Sequence, residues 1–308
     1  MTEHGDTRLV DKILKLKQKR NAVILAHNYQ LGEVQDIADF SGDSLDLSQK
    51  AAKTDADVIV FCGVHFMAET ASILCPEKKV LLPDLHAGCP MADMITPDKL
   101  RRMKKEHPQA TVVCYVNTSA EVKAESDICC SSANAIEVVQ SLPEATEILF
   151  VPDQYLGQYV STKTGRPLLL WPGFCPTHVR ILASDILRLK KEYPKAKVVV
   201  HPECRPDVTE IADAVLSTSG ICKYARESPE TEIIVGTEIG ILHRLRKESP
   251  QKRFIPVSEQ AVCPRMKLIT LETVLWTLEE MAHEVNVPEK IRVRAKSAVD
   301  RMLQIGRK

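Results

Sequence analysis

Three times along this chain, a charged helical stretch gives way to an unbroken apolar run that ends in polar side chains. Residues 8–20 place Val10, Ile13 and Leu14 on one side of a helix, and Ala22-Val-Ile-Leu-Ala26 then leads to His27-Asn-Tyr29. The second copy runs from Lys104-Lys-Glu-His-Pro108 through Ala110-Thr-Val-Val-Cys114 to Tyr115-Val-Asn117. The third runs from Lys190-Lys-Glu-Tyr-Pro194 through Ala196-Lys-Val-Val-Val200 to His201-Pro-Glu203. Continuous apolar runs of strand length are what a strand buried on both faces shows. Second strands follow at Asp57–Cys62, Glu147–Val151 and Glu232–Val235, and third strands at Lys79–Leu82, Pro167–Leu170 and Arg253–Val257. Strands alternating with helices predict parallel βαβ units with right-handed crossovers. Two further helices are expected at Leu271–Met281 and after Pro288, packing back onto the first copy.

Each third strand leads to a Cys-Pro pair: Cys89-Pro90, Cys175-Pro176 and Cys263-Pro264. The cysteines are spaced by 86 residues (from 89 to 175) and 88 residues (from 175 to 263). A repeat this long predicts three copies of a small domain around a common axis. The expected architecture is α/β, with three pseudo-threefold-related αβα domains whose small parallel sheets surround a central cluster site. The divisions fall at 1–90 (completed by the C-terminal helices in 266–308), 91–175 and 176–265. Three thiolates meeting at one point predict a metal or cluster site rather than a disulfide pattern. A fourth pair, Cys75-Pro76, lies off the period, so the spacing carries more weight than the dipeptide.

Composition narrows the function classes. Hydrophobic residues make up 44% of the 308 and charged residues 27%, as in an ordinary globular protein. With 41 basic and 41 acidic residues, no global field recruits nucleic acid or an anionic membrane. The longest apolar runs are strand-length and the start lacks an apolar signal core, so no membrane span is expected. Ten cysteines without regular close pairing predict a reducing, cytoplasmic setting. Neither a GxGxxG fingerprint, a P-loop nor a CxxC pair occurs, which removes the usual warrants for dinucleotide binding, nucleotide hydrolysis and zinc ribbons. Cys62, Cys75, Cys114, Cys129, Cys130, Cys204 and Cys222 lack the period and read mostly as small buried hydrophobes, with Cys204 notable beside Glu203.

The spacing places functional groups too. His27, Tyr115 and His201 stand at equivalent strand ends, where α/β sheets bind ligands. Seventeen residues after each (27 to 44, 115 to 132, 201 to 218) come Ser44, Ser132 and Thr218. These hydroxyls are expected to cap helix N-termini. Three such ends facing one cavity would suit a carboxylate or phosphate. Three cysteines on a [4Fe–4S] cluster would leave one iron open to act as a Lewis acid. A zinc ion with three cysteines and a water satisfies the same pattern. A cluster-bearing sensor that merely binds a small anion is a further alternative, although no helix-turn-helix or basic stripe accompanies it.

Taken together, Ala26-His-Asn-Tyr29, Gly42-Asp-Ser44, Gly63-Val-His-Phe-Met-Ala-Glu-Thr70, Ala87-Gly-Cys89, Tyr115-Val-Asn117, Ser132-Ala-Asn-Ala135, Gly173-Phe-Cys175, His201-Pro-Glu-Cys204 and Ser217-Thr-Ser-Gly220 resemble the iron–sulfur quinolinate synthase family. The resemblance implies a [4Fe–4S] cluster held by Cys89, Cys175 and Cys263. It implies condensation of iminoaspartate with dihydroxyacetone phosphate to quinolinate, phosphate and two waters, a step of NAD biosynthesis, and transient contact with L-aspartate oxidase. Glu203 and Tyr29 become the acid/base candidates, with His27 and His201 orienting or donating. Tyr115 and Asn117 would position the intermediate, and Ser44, Ser132, Ser217 and Thr218 would join His27, His201 and Glu203 in binding substrate. Some members carry a redox CxxC near the last ligand; only Cys263 stands there in this chain.

Overall fold

A computed structural model describes residues 3–305, with side chains from residue 7 onward. The first unit contains α1 (Glu3–Lys19), β1 (Ala22–His27), α2 (Gly32–Ile37), β2 (Phe40–Gly42), α3 (Ser44–Lys53), β3 (Val58–Cys62), α4 (His65–Leu74) and β4 (Lys79–Leu81). The second contains α5 (Pro97–Glu106), β5 (Thr111–Tyr115), α6 (Ala120–Ala124), β6 (Ile128–Cys130), α7 (Ala135–Ser141), β7 (Ile148–Val151), α8 (Gln154–Thr164) and β8 (Leu169–Leu170). The third contains α9 (Ala183–Glu192), β9 (Lys197–Val200), α10 (Pro206–Thr209), β10 (Ala214–Val215), α11 (Thr218–Glu227), β11 (Glu232–Gly236), α12 (Ile241–Glu248) and β12 (Arg253–Pro256). The chain ends with α13 (Leu271–Glu280) and α14 (Glu289–Gln304).

The expected α/β architecture is the one observed. Each unit forms a four-stranded, all-parallel sheet, in the orders β2-β1-β3-β4, β6-β5-β7-β8 and β10-β9-β11-β12. The apolar runs supply the central strands: every residue of β3 and β7 is buried, as is every residue of β1 after Ala22. The fourth strand of each sheet was not expected. It is an edge strand of two or three residues, and an aspartate secures it in every unit. Asp39, Asp127 and Asp213 each accept the backbone N–H of the neighbouring central strand, from Ile24 at 2.8 Å, Val112 at 2.7 Å and Val198 at 2.8 Å. This clamp recurs with the period of the cysteines.

In each sheet, the chain leaves the first central strand toward one edge and the second toward the other. The crevice between those two strand ends is the switch point where open α/β sheets bind ligands. Three such crevices, at β1/β3, β5/β7 and β9/β11, face one another. Of the closing helices, α13 packs on α1 and β3 of the first unit, as expected. Helix α14 does not simply return there: it lies chiefly against α6 and β6 of the second unit and only secondarily against α4. Among the described residues, no helix is long and apolar enough to cross a membrane.

Candidate active site

The three crevices open into a cavity of about 160 Å³. Cys89, Cys175 and Cys263 line it from three loops that follow the same path. Each cysteine leads, three residues on, into one turn of 3-10 helix: Ala92–Met94, His178–Arg180 and Met266–Leu268. That turn aims two backbone N–H groups at each sulfur, from Met91 and Ala92, Thr177 and His178, and Arg265 and Met266. The other seven cysteines are all buried, whereas these three are partly exposed. Burial pushes the Cys89 thiol up to about 12, and the Cys175 and Cys263 thiols up as well. A cation would be needed to hold them as thiolates. Three soft donors, each receiving two amide hydrogens, suit iron–sulfur or zinc chemistry.

Beside the thiols lies Glu203, 3% exposed and the hub of the polar network. Tyr115 Oη donates to its Oε1 at 2.5 Å and Asn117 Nδ2 approaches the same oxygen at 3.4 Å. On the other oxygen, His178 Nδ1 stands at 2.7 Å and His201 Nδ1 at 3.8 Å. Burial alone would raise the Glu203 pKa, but His178, by charge and hydrogen bond, outweighs it with help from His201 and Tyr115 and holds the carboxyl below its usual range. Ligand atoms of Cys175, His178 and Glu203 lie within 4.8 Å of one another, so this trio could also hold a metal ion.

Two histidines are set by the backbone. The N–H of Tyr29 donates to His27 Nδ1 at 3.2 Å, and that of Glu203 to His201 Nδ1 at 3.3 Å. Burial lowers both imidazoles to about 3, so both are neutral near pH 7. With Nδ1 accepting, the proton sits on Nε2. His201 Nε2–H accordingly donates to Ser132 Oγ at 3.2 Å. Tyr29 Oη meets Thr237 Oγ1 at 2.5 Å and His178 Nε2 at 3.3 Å. Burial, then the charge of Glu203, pushes the Tyr29 and Tyr115 phenols well above their ordinary value, leaving both protonated.

Over residues 11–304 the chain matches the family described as quinolinate synthetase A protein. The chain belongs to the quinolinate synthase family. A quinolinate synthase from Dehalococcoides mccartyi (strain CBDB1) is 63% identical over 294 residues, covering 96% of this chain and 97% of that one. One from Methanosarcina barkeri (strain Fusaro / DSM 804) is 58% identical over 297 residues, again covering 96% and 97%. A solved E-1-hydroxy-2-methyl-but-2-enyl-4-diphosphate reductase from Plasmodium falciparum aligns over 92% of this chain and 90% of its own, at 12% identity and a TM-score of 0.32, too distant to bear on the fold or the chemistry.

The residues singled out through the quinolinate synthase resemblance mostly converge. His27, Tyr29, Tyr115, Asn117, His201 and Glu203 line the cavity with Ser44, Ser132 and Thr218. The capping role expected of those three hydroxyls is not observed. In the first and third units the cap lies one residue earlier, whereas in the second the N-cap of α7 is Asn134, two residues after Ser132 and without a side-chain cap bond. Asp43 caps α3 through Leu45 N and Asp46 N, and Ser217 caps α11 through Gly220 N. Ser131 Oγ accepts from Ala133 N at 3.1 Å, ahead of α7. Ser44 and Thr218, each one residue after a cap, line the cavity, as does the capping Asp43 itself. Ser217 does not line it; besides capping α11 it donates to Asp43 Oδ2 at 3.1 Å. Cys204 is buried at 1% exposure, with its thiol directed to the Gly236 carbonyl.

Sequence reasoning missed His178, Thr237 and Glu238. His178 stands where the other two loops carry Ala92 and Met266, so aligning the three cysteine loops by their period would have revealed a polar exception. Glu238 is fully buried, accepts the Cys263 N–H at 3.0 Å and pairs with Lys267 at 2.9 Å. It holds the third cysteine loop in place.

Proposed function

We propose that this enzyme is a quinolinate synthase that condenses iminoaspartate with dihydroxyacetone phosphate to give quinolinate, phosphate and two waters, a step of NAD biosynthesis. The observation that carries the reading is the convergence of three equivalent Cys-Pro loops beside a buried, hydrogen-bonded Glu203. Cys89, Cys175 and Cys263 would hold a [4Fe–4S] cluster, whose open iron supplies Lewis acidity when bound. His27 and His201, neutral and protonated on Nε2, act as hydrogen-bond donors to carboxylate or phosphate oxygens. Ser44, Ser132 and Thr218 add hydroxyls on the same wall. Glu203, ionised, accepts a proton from a carbon beside a carbonyl, with Tyr115 and Asn117 holding its Oε1 in place. Tyr29, protonated, donates toward a departing or developing oxygen, and Thr237 and His178 orient its hydroxyl. The apolar wall of Val64, Phe66 and Met67 limits water around these groups. We take the units to divide at 1–90, 91–175 and 176–265; of the closing helices in 266–308, α13 completes the first, while α14 bridges the second and the first.

A second reading is a single metal ion on Cys175, His178 and Glu203, which the grouping of their ligand atoms favours. Anaerobic preparation and iron, sulfide and zinc analysis of Cys89→Ala, Cys175→Ala and Cys263→Ala separate the two. A three-thiolate cluster loses its iron and brown absorbance in each variant. The single-ion reading predicts loss only in Cys175→Ala, and retention in the other two would overturn the cluster.

A further inference from the structure

Arg244 sits on α12, in the third unit, and reaches across the seam to the first. Its Nη1 donates to Asn28 Oδ1 at 2.8 Å and to the Ser41 carbonyl at 2.8 Å, while its Nε pairs with Glu248 at 2.6 Å. Asn28 is fully buried, and its Nδ2 donates to Thr218 Oγ1 at 2.8 Å. A guanidinium can only donate, so the amide oxygen of Asn28 must face Arg244. The amide nitrogen is then committed to Thr218, whose oxygen is the acceptor. No acceptor among the described residues takes the Thr218 proton, and Thr218 lines the cavity.

We infer that Arg244 and Asn28 are positioning residues that direct the Thr218 O–H bond into the cavity, making it a dedicated donor to an anionic oxygen of the bound dicarboxylate. The inference rests on the anion-binding reading of Thr218 proposed above and adds what fixes the polarity of that contact. A hydroxyl free to rotate would accept from an amide or hydroxyl of a neutral analogue. With Asn28 on one of its two lone pairs, its hydrogen is turned away from the amide and toward the cavity, which favours ligands that accept. Specificity for carboxylate at this point is thereby imposed from the first unit, through a residue that touches no ligand.

Asn28→Asp tests this directly. A carboxylate accepts from Arg244 and from Thr218, so the Thr218 hydroxyl turns away and presents its lone pair to the cavity. The probe is quinolinate, titrated by calorimetry into the anaerobic, iron-loaded enzyme, with iron content and thermal melting checked for each variant. Loss of one charge-assisted hydrogen bond weakens binding about 10–100-fold. Thr218→Val should lose a similar factor, and the double variant should bind no more weakly than Thr218→Val alone, because both changes act through one hydroxyl. Arg244→Ala should also weaken binding, and Arg244→Lys, which can still only donate, should recover most of it; this pair serves if Asn28→Asp folds poorly. Native binding by Thr218→Val would remove the anion contact itself and the relay with it. Weakened binding by Thr218→Val beside native binding by Asn28→Asp would overturn the relay alone, as would losses that multiply in the double variant.

Discussion

The ends of β1 and β9 share one backbone design and carry different chemistry. Each leads into a buried histidine, the last residue of β1 and the first after β9, whose Nδ1 accepts the N–H of the residue two further on, at 3.2 Å and 3.3 Å. In the first unit that residue is Tyr29, a protonated phenol between Thr237 and His178. In the third it is Glu203, an ionised carboxyl that gathers His178, His201, Tyr115 and Asn117. The end of β5 offers Tyr115 and Asn117, both directed at Glu203. The repeat thus supplies three copies of a mount, and the side chain two positions after the strand end decides what each mount does.

The sharpest way to break this comparison is to remove the charge from one mount. Glu203→Gln should keep the fold and the iron while lowering quinolinate formation about 10²–10⁴-fold; turnover near the native rate would reduce Glu203 to a structural role. Tyr29→Phe removes a single hydroxyl and should cost about 10²-fold in kcat, at the low end of the same range, with little change in KM. A change confined to KM would make Tyr29 a binding group instead.

The histidines offer a finer test. Their folded values, about 3, lie below the ~6.5 of an unfolded chain. Between those limits the unfolded state binds protons that the native state refuses, so stability rises with pH. It is fully present above about pH 6.5 and is lost as pH falls toward 3. Each histidine should contribute a slope of about 1.4 kcal/mol per pH unit. Urea titrations between about pH 4.5 and 6.5, above the carboxyl range, should show that slope reduced equally by His27→Asn and His201→Asn. Unequal reductions would show that the two mounts differ in burial despite their shared geometry. The smallest effect concerns the caps. Ser217→Ala should lower stability by about 0.5–2 kcal/mol without altering quinolinate affinity; a loss of affinity at matched stability would return Ser217 to the binding set.

Much of this was legible from residue patterns because buried parallel strands write themselves as unbroken apolar runs. The central strands and the α13 and α14 helices needed no tertiary information. Although the predicted edge strands β4 and β8 are no longer than they are, the edge strands β2, β6 and β10 went unread. Their anchors at Asp39, Asp127 and Asp213 were nevertheless present at the repeat spacing. The hydroxyl rule failed by one residue in the first and third units. There Asp43 and Ser217 take the cap, which leaves the hydroxyls of Ser44 and Thr218 for the cavity. His178 escaped notice because it breaks the repeat, and the repeat was the signal being followed.

The position of α13 carries one more consequence. After the first cysteine loop, α5 leads into the second sheet, and after the second loop, α9 leads into the third. After the third loop, α13 occupies the corresponding place but leads to no sheet of its own. It docks on α1, the helix that opens the first sheet, and Arg20 just beyond α1 donates to the Leu278 and Glu279 carbonyls at 3.3 Å and 3.1 Å. Spatially the three units form a closed ring, although the polypeptide is a line. Where that line begins is therefore a matter of where the ring was opened, and the order first, second, third belongs to the gene more than to the molecule.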